Sequence, residues 1–425
     1  MKELLLDIVS CGDERHVLIS ENRISFISGV SSPELSKVTE EELKLIHEAP
    51  KPPLTIFGPS ISFMPTFDCN LRCIYCYSEG GRDKQYLDPR LARTAIDSLA
   101  LRTKEPKGKP LTIYFVGGGE PFKNFPLMFD VCEYAKTKFA SVLITVVSNG
   151  LLNAEQLEWL ITNKVATRIS FDGEAYDMHR PTVTGKSAKS AVEKTIRHLA
   201  SADIPLTIQL TVSSLDTSLR RMRESVLAIS NLGARYIKIE PVHASVLSRA
   251  DQTLVPDLNE FVDRFVEVIE YIIQNNLDVK IDNSFISRPT SGYYCGAGEG
   301  SNITITPAGY ITSCLEVSRP NEVFADKMIY GRCTKENGIC LDESKRAFLD
   351  RLRWDNFVGC PECNLKLICG GGCPMQGGWD HSDLFKPSTY ICSAHRHLLP
   401  RLFELMFNKP EAMNILFDNH TITEF

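Results

Sequence analysis

The sequence predicts an α/β protein. It reads as a partial (β/α)6 TIM-like barrel between a small α+β module and a cysteine-rich C-terminal region. Strand-like and helix-like segments alternate six times between about residues 58 and 275. Beyond about 280 this periodicity fades, while glycine and cysteine density rises. Ahead of residue 51 there are three short strand-like runs and a polar helix. At 425 residues the chain exceeds what one core usually carries, so two or three domains are expected. The expected divisions are 1–50, 58–280, 281–400 and a closing helix and tail at 401–425.

In the first module, Leu4–Val9, Val17–Glu21 and Ile24–Ser28 read as a strand meander. A polar helix follows from about Glu34 to Ala49, capped by Ser32, and Lys51-Pro52-Pro53 makes a stiff linker. The barrel strands are Ile61–Phe67, Leu111–Val116, Val142–Val147, Thr167–Phe171, Leu206–Val212 and Tyr236–Ile239. Helices are expected near 88–104, 125–139, 154–163, 187–201, 216–231 and 257–275. Right-handed crossovers make such a sheet parallel with its helices outside, and place active residues at the C-terminal strand ends. Near the end, an apolar stripe of Leu398, Leu402, Leu405 and Met406 marks a helix at about Ala394–Phe407.

Composition excludes several classes. Net charge is −6 with no basic tract, so nucleic acid is not an expected partner. The apolar run at the N-terminus is too short for a signal peptide, and no stretch is long and apolar enough for a membrane helix. Fourteen cysteines without a secretory signal point to metal rather than disulfides, and to the cytoplasm.

The chemistry is concentrated after the first barrel strand. Cys69, Cys73 and Cys76 are spaced C-x3-C-x2-C. Three thiolates at that spacing hold three corners of a [4Fe–4S] cube and leave one iron open to a small molecule. Zinc or buried structural thiols are the competing readings. The second strand ends in Gly117-Gly118-Gly119-Glu120, a turn that brings backbone close to a ligand or is simply tight; it lacks the spacing of a phosphate loop. The third ends in Ser148-Asn149-Gly150. Ser170 and Asp172 close the fourth and, two apart, face one side of a strand. On the fifth, Gln209 and Thr211 alternate with apolar residues and face the lumen, as ligand contacts or as buried structural groups.

The loop Asp68–Gly81 resembles the cluster motif of the radical S-adenosylmethionine (SAM) enzymes. The resemblance implies that the open iron chelates SAM, whose reductive cleavage gives a 5′-deoxyadenosyl radical that abstracts hydrogen. It implies that Tyr75 packs near the adenine. Gly118, Gly119 and Glu120 resemble the family's GGE turn, which accepts the SAM amino group. Ser148 and Asn149 resemble the element near the ribose and methionine, and Ser170 and Asp172 suit the ribose diol. The segment Tyr176–Arg180 resembles the family's HDxxR stretch, with Arg180 either pairing with the SAM carboxylate or forming an ordinary salt bridge.

Seven further cysteines follow one pattern: Cys295-x13-Gly309-x4-Cys314, then Cys360-x2-Cys363-x5-Cys369-x3-Cys373, then Cys392. This resembles the SPASM domain of radical SAM peptide maturases. The resemblance implies one auxiliary [4Fe–4S] cluster on Cys360, Cys363, Cys369 and Cys392, and another on Cys295, Cys314 and Cys373, three clusters in all. Cys333 or Cys340 fills the second auxiliary cluster, or its iron is open. Sulfatase-maturing relatives carry an Asp base directly after the second cysteine. Here Leu315 holds that place, and Glu316 acts as base only if the loop is rearranged.

The expected function is modification of a ribosomally made precursor peptide, most readily an oxidative C–C, C–O or thioether cross-link. Epimerisation, with Cys333 or Cys340 as hydrogen donor, is the alternative, as is action on a folded protein or a small molecule. The N-terminal meander offers an edge to which a leader peptide can add as a strand. An external electron donor such as flavodoxin or ferredoxin is required.

Overall fold

The computed structural model describes residues 6–12, 14–20, 24–31, 34–35, 37, 59–78, 80–81, 83–243, 252–281, 292–298, 302–416 and 422–424. The expected helix from Glu34 and the proline linker lie for the most part outside them. The chain forms two compact units, each discontinuous in sequence. One comprises Met1–Ile56, Asp257–Cys295 and Leu352–Phe425; the other comprises Phe57–Pro256 and Gly296–Arg351.

In the first unit, β1 (Leu6–Ser10), β2 (Arg15–Ser20) and β3 (Ile24–Ser28) form the expected antiparallel meander. A fourth strand, Ile422–Glu424, adds to β3 in parallel. Phe26 of β3 packs edge-on against Phe403 and Phe407 of the helix Thr389–Asn408. That helix starts at Ser388, whose side chain accepts from the Ile391 N–H, and it buries Leu398, Leu402, Leu405 and Met406 as the stripe predicted. It runs past residue 401, so the expected boundary there falls inside a helix. Its neighbour, Leu258–Gln274, is capped by Asp257 and buries seven residues from Leu258 to Ile272.

The second unit contains the parallel sheet. Its strands are β4 (Ser60–Phe63), β5 (Pro110–Phe115), β6 (Ser141–Ser148), β7 (Ala166–Ser170), β8 (Leu206–Val212) and β9 (Tyr236–Pro241). They pair in sequence order, all parallel. Among the described residues β9 does not return to β4, so the sheet is open. On its far side β4 pairs in parallel with Thr304–Ile305, and an antiparallel ribbon of Tyr310–Thr312, Ile329–Thr334 and Gly338–Leu341 extends the sheet. β4 is shorter than expected. Met64 bonds instead to the Ile305 carbonyl, and Pro65 has no N–H to continue the ladder.

Local signals set the helices. Asp88 accepts from the Arg90 N–H and Pro89 opens the helix Pro89–Arg102, whose buried face is Leu91, Ala92, Ala95, Ile96 and Leu99. Asn153 and Gln156 make a full capping box ahead of Ala154–Thr162. On β8 the apolar positions are buried, while Thr207, Gln209 and Thr211 lie on the other, half-open face. No helix among the described residues is long and apolar enough to cross a membrane.

Candidate active site

The loop after β4 carries Cys69, Cys73 and Cys76, and hydrogen bonds knit it shut. The Arg72 guanidinium donates to the carbonyls of Leu71 (2.7 Å), Cys69 (2.9 Å) and Gly81 (2.8 Å). The three sulfurs lie close enough to act on one another. Burial pushes the Cys69 thiol up to about 12, with Glu120, Cys73 and Cys76 adding to the rise, and pushes Cys73 to about 11.

N–H groups point at each sulfur. The Leu71 amide is 3.5 Å from Cys69 Sγ, the Gly80 amide 3.4 Å from Cys76 Sγ, and Arg180 Nη1 3.9 Å from Cys73 Sγ. Donors arranged in this way lower the cost of a thiolate, against the effect of burial. Three half-buried thiols with donors fit a cluster held by thiolates better than inert core cysteines. Among the described residues, no three His, Cys, Asp or Glu side chains close tightly enough to hold a single metal ion. A cube holds its thiolates farther apart than one ion does.

The glycine turn after β5 meets this loop. A Cβ on Gly119 would sit 2.0 Å from the Asp68 carbonyl, and one on Gly118 would sit 2.7 Å from that of Thr66. The amides of Gly119 and Glu120 donate to those same carbonyls at 2.8 Å. The glycines are therefore needed for close approach of the chain's own backbone, with φ positive at Gly117 and Gly118. Ser78 Oγ donates to the Gly118 carbonyl and lies 3.4 Å from Cys76 Sγ.

Glu120 is buried. It accepts from Ser148 Oγ (2.9 Å), the Asn149 amide (2.7 Å) and the Phe122 amide (3.2 Å). Burial outweighs these donors and raises its carboxyl to about 7. Asn149 Nδ2 reaches Asn70 Oδ1 at 2.6 Å and Cys69 Sγ at 3.9 Å. Glu120, Ser148 and Asn149 thus form one network against the first cysteine.

Of the two expectations for Arg180, the structure shows the salt bridge, with Asp172 as its buried partner. Asp172 lies past the end of β7, where strand alternation no longer holds, and is fully buried while Ser170 stays half-open. Its carboxylate accepts from Arg180 Nε (2.8 Å) and Nη2 (3.1 Å), Tyr75 OH (2.5 Å), His179 Nδ1 (3.2 Å) and the Thr211 amide (3.1 Å). The Arg180 cation dominates the other influences that hold Asp172 down near 2 against the effect of burial. The two groups expected on the SAM ribose and carboxylate are committed to each other. A buried carboxylate and guanidinium each require a partner, and the short helix Tyr176–His179 brings them together.

Tyr75 lies against Arg180, 5.3 Å from ring centroid to guanidinium carbon, and against His179. His179 bonds onward to Ser213 Oγ at 2.9 Å, and Ser213 donates to Asp216 at 2.9 Å. Asp216 and Tyr77 were not anticipated. Burial pushes the Tyr77 hydroxyl well up, and Cys76, Glu316 and Cys314 act on it in the same direction. Leu315 packs toward Gly117, 3.4 Å from a Cβ placed there.

Residues 63–227 match the Radical SAM superfamily. The chain carries a radical SAM domain. The resemblance carried by the cysteine loop is borne out, and enzymes of this superfamily use SAM with a [4Fe–4S] cluster. The chain is 29% identical over 250 residues to the uncharacterized protein MJ0907 of Methanocaldococcus jannaschii, covering 58% of this chain and 81% of that protein. It is 23% identical over 324 residues to the mycofactocin maturase MftC of Mycobacterium tuberculosis, covering 72% and 76%. Among solved structures, native anSMEcpe with bound AdoMet superposes with a TM-score of 0.68 at 16% identity, over 84% of this chain and 99% of that one. Streptococcus suis SuiB bound to precursor peptide SuiA gives 0.54 at 14%, over 91% and 100%. These likenesses show the fold, an α/β architecture with a mostly parallel sheet.

Outside the radical SAM domain, a second thiol group lies in the first unit. Cys363 and Cys392 act on Cys360, and all three act on Cys369; with burial these influences raise Cys360 to about 11 and Cys369 to about 12. Three successive left-handed glycines follow Cys369, and the Gly371 amide donates to its sulfur. A Cβ on Gly370 would lie 2.8 Å from the backbone of Tyr293 and Tyr294, so the chain just before Cys295 runs against the turn leading to Cys373. Cys314 belongs to the other unit. Cys333 is buried with its thiol toward the Leu91 carbonyl (3.8 Å), against the helix Pro89–Arg102, and Cys340 is exposed. The thiol of Cys333 is thus engaged on the helix side of the sheet rather than at the cysteine loop.

Proposed function

We propose that this protein is a radical SAM peptide maturase with a SPASM-type C-terminal region, forming an oxidative cross-link on a ribosomally made precursor peptide. The observation that carries this reading is the second group of thiols. Four half-buried cysteines that act on one another suit an auxiliary [4Fe–4S] cluster, and the resemblance of the seven C-terminal cysteines to a SPASM domain implies two such clusters. The relatives named as a maturase and as bound to a precursor peptide support a peptide substrate.

When bound, SAM and the cluster supply a 5′-deoxyadenosyl radical, which takes hydrogen from an unreactive C–H bond. The chain's residues divide the remaining work. Cys69, Cys73 and Cys76 hold the cluster, and the Glu120–Ser148–Asn149 network fixes the turn beside it. Gln209, Thr211 and Ser170 sit on the open face of the sheet, where a substrate lies. Glu316, if its loop rearranges, would accept a proton as a bond forms and the substrate loses its second electron. The C-terminal cysteines would hold the auxiliary cluster that takes up that electron, and an external flavodoxin or ferredoxin would supply the reducing one.

The meander β1–β2–β3 would receive the leader. Its β3 edge already carries Ile422–Glu424, so a leader adds at β1 or displaces that strand. The test is anaerobic co-expression with the short peptide encoded beside the gene. A loss of about 2 Da per event, two hydrogens, is the expected result. Unchanged mass in water with a gain of about 1 Da in deuterated solvent would replace cross-linking by epimerisation. No change in either solvent would contradict a peptide substrate.

A further inference from the structure

We propose that the buried Asp172–Arg180 pair sets the reduction potential of the cluster held by Cys69, Cys73 and Cys76, acting through the sulfur of Cys73. The proposal rests on the fit of those three thiols to a cluster. Arg180 is 6% exposed and divides its donors: Nε and Nη2 grip the Asp172 carboxylate, and Nη1 turns to Cys73 Sγ at 3.9 Å. The guanidinium cannot swing away, because its anchor is itself fixed. Asp172 has no exposed surface and also accepts from Tyr75, His179 and the Thr211 amide. The Tyr75 ring, one residue before Cys76, lies against the guanidinium and helps to hold it.

Charge at a site shielded from water acts strongly on its neighbours. Hydrogen bonds to sulfur and net local charge are among the levers by which a protein sets a cluster's potential. The two members of the pair pull in opposite directions. Without the Arg180 charge, a buried carboxylate is left uncompensated near Cys73, and an added electron is disfavoured. With Asp172 made neutral, the cation is left uncompensated, and an added electron is favoured. A pair that merely braced the loop would not give shifts of opposite sign.

The experiment is a redox titration of the anaerobically reconstituted full-length protein, followed by electron paramagnetic resonance. The signal tracked is the one that changes when SAM is added, which separates this cluster from the others. Arg180→Gln is expected to lower the reduced-to-oxidised ratio at fixed potential at least tenfold, equivalent to about 59 mV for one electron. Asp172→Asn is expected to raise it by a similar factor. Arg180→Lys, which keeps the charge and loses the fork, should lie nearer the unaltered protein. Shifts of the same sign in Arg180→Gln and Asp172→Asn, or no shift in either, would overturn the proposal. Should Arg180→Gln fail to hold iron, Asp172→Asn decides alone: an unchanged or lowered ratio rejects the proposal.

Discussion

The two thiol groups of this chain differ in what surrounds them. The loop Cys69–Cys76 offers three sulfurs beside a dense polar network: the Glu120 carboxyl, Asn149, Tyr75 and the Asp172–Arg180 pair. The group Cys360, Cys363, Cys369 and Cys392 offers four sulfurs in a segment built on apolar and structural contacts. A Cβ on Gly371 would meet the Phe357 ring at 2.9 Å and one on Gly372 would meet Ile391 at 3.2 Å. One charged contact braces the turn. Asp7 of β1, 2% exposed, holds Lys366 and the Leu367 amide, between Cys363 and Cys369. Three ligands amid hydrogen-bonding groups suit an iron that must bind and activate a molecule. Four ligands in a braced turn suit a closed cluster that passes electrons.

Cysteine removal should separate the two groups most strongly. Replacing Cys69, Cys73 or Cys76 by Ala should lower SAM cleavage by about a thousandfold or more, and remove about four irons per chain. Replacing Cys360 or Cys369 should also cost iron, yet leave SAM cleavage measurable while peptide product disappears. Iron assay with chromatography of 5′-deoxyadenosine separates the two patterns. Equal loss of SAM cleavage from both groups would erase the distinction.

Asp7→Ala tests the brace. It leaves a mostly buried Lys366 with only the Cys363 carbonyl as acceptor and strands the Leu367 amide, so thermal unfolding should show a loss of about 3 kcal/mol, with auxiliary iron lost before the SAM-binding iron. Asp7→Asn should cost less.

Glu120 gives a pH signature on the other side. Its folded value of about 7 lies above the ordinary 4.5, so the fold prefers the neutral acid. That contribution is complete below about pH 4.5 and is lost as pH rises through 7. Relative to Glu120→Gln, the unaltered protein should lose on the order of 3 kcal/mol of stability between pH 4 and 8. Denaturant unfolding of both proteins across that range measures it, and parallel curves would contradict it. The smallest expected effect is local. Asn153→Ala removes the capping box of Ala154–Thr162 and should cost about 1 kcal/mol, leaving both thiol groups loaded.

Much of this was legible in the sequence because it depends on local periodicity and spacing. The strands β4 to β9 and the long helices follow from alternation and caps, and both thiol groups follow from cysteine intervals. What was not legible depends on pairing over distance. Asp172 and Arg180 are eight residues apart, and nothing in their spacing says that they grip each other. The burial of both charges makes that contact obligatory, and burial is a property of the fold. Tyr77 sits beside Cys76 in sequence, but its proximity to Glu316 and Cys314 depends on β4 pairing with Thr304–Ile305. The strand Ile422–Glu424 is too short to announce itself, and its partner β3 lies at the other end of the chain.

The most direct test is release of 5′-deoxyadenosine by the reconstituted protein with SAM and a strong reductant, compared with Cys76→Ala and Cys360→Ala. Turnover is expected from the unaltered protein, none from Cys76→Ala, and retained turnover from Cys360→Ala. Turnover by Cys76→Ala, or its absence from the unaltered protein at full iron loading, would contradict the assignment of the first thiol group as the site of SAM cleavage.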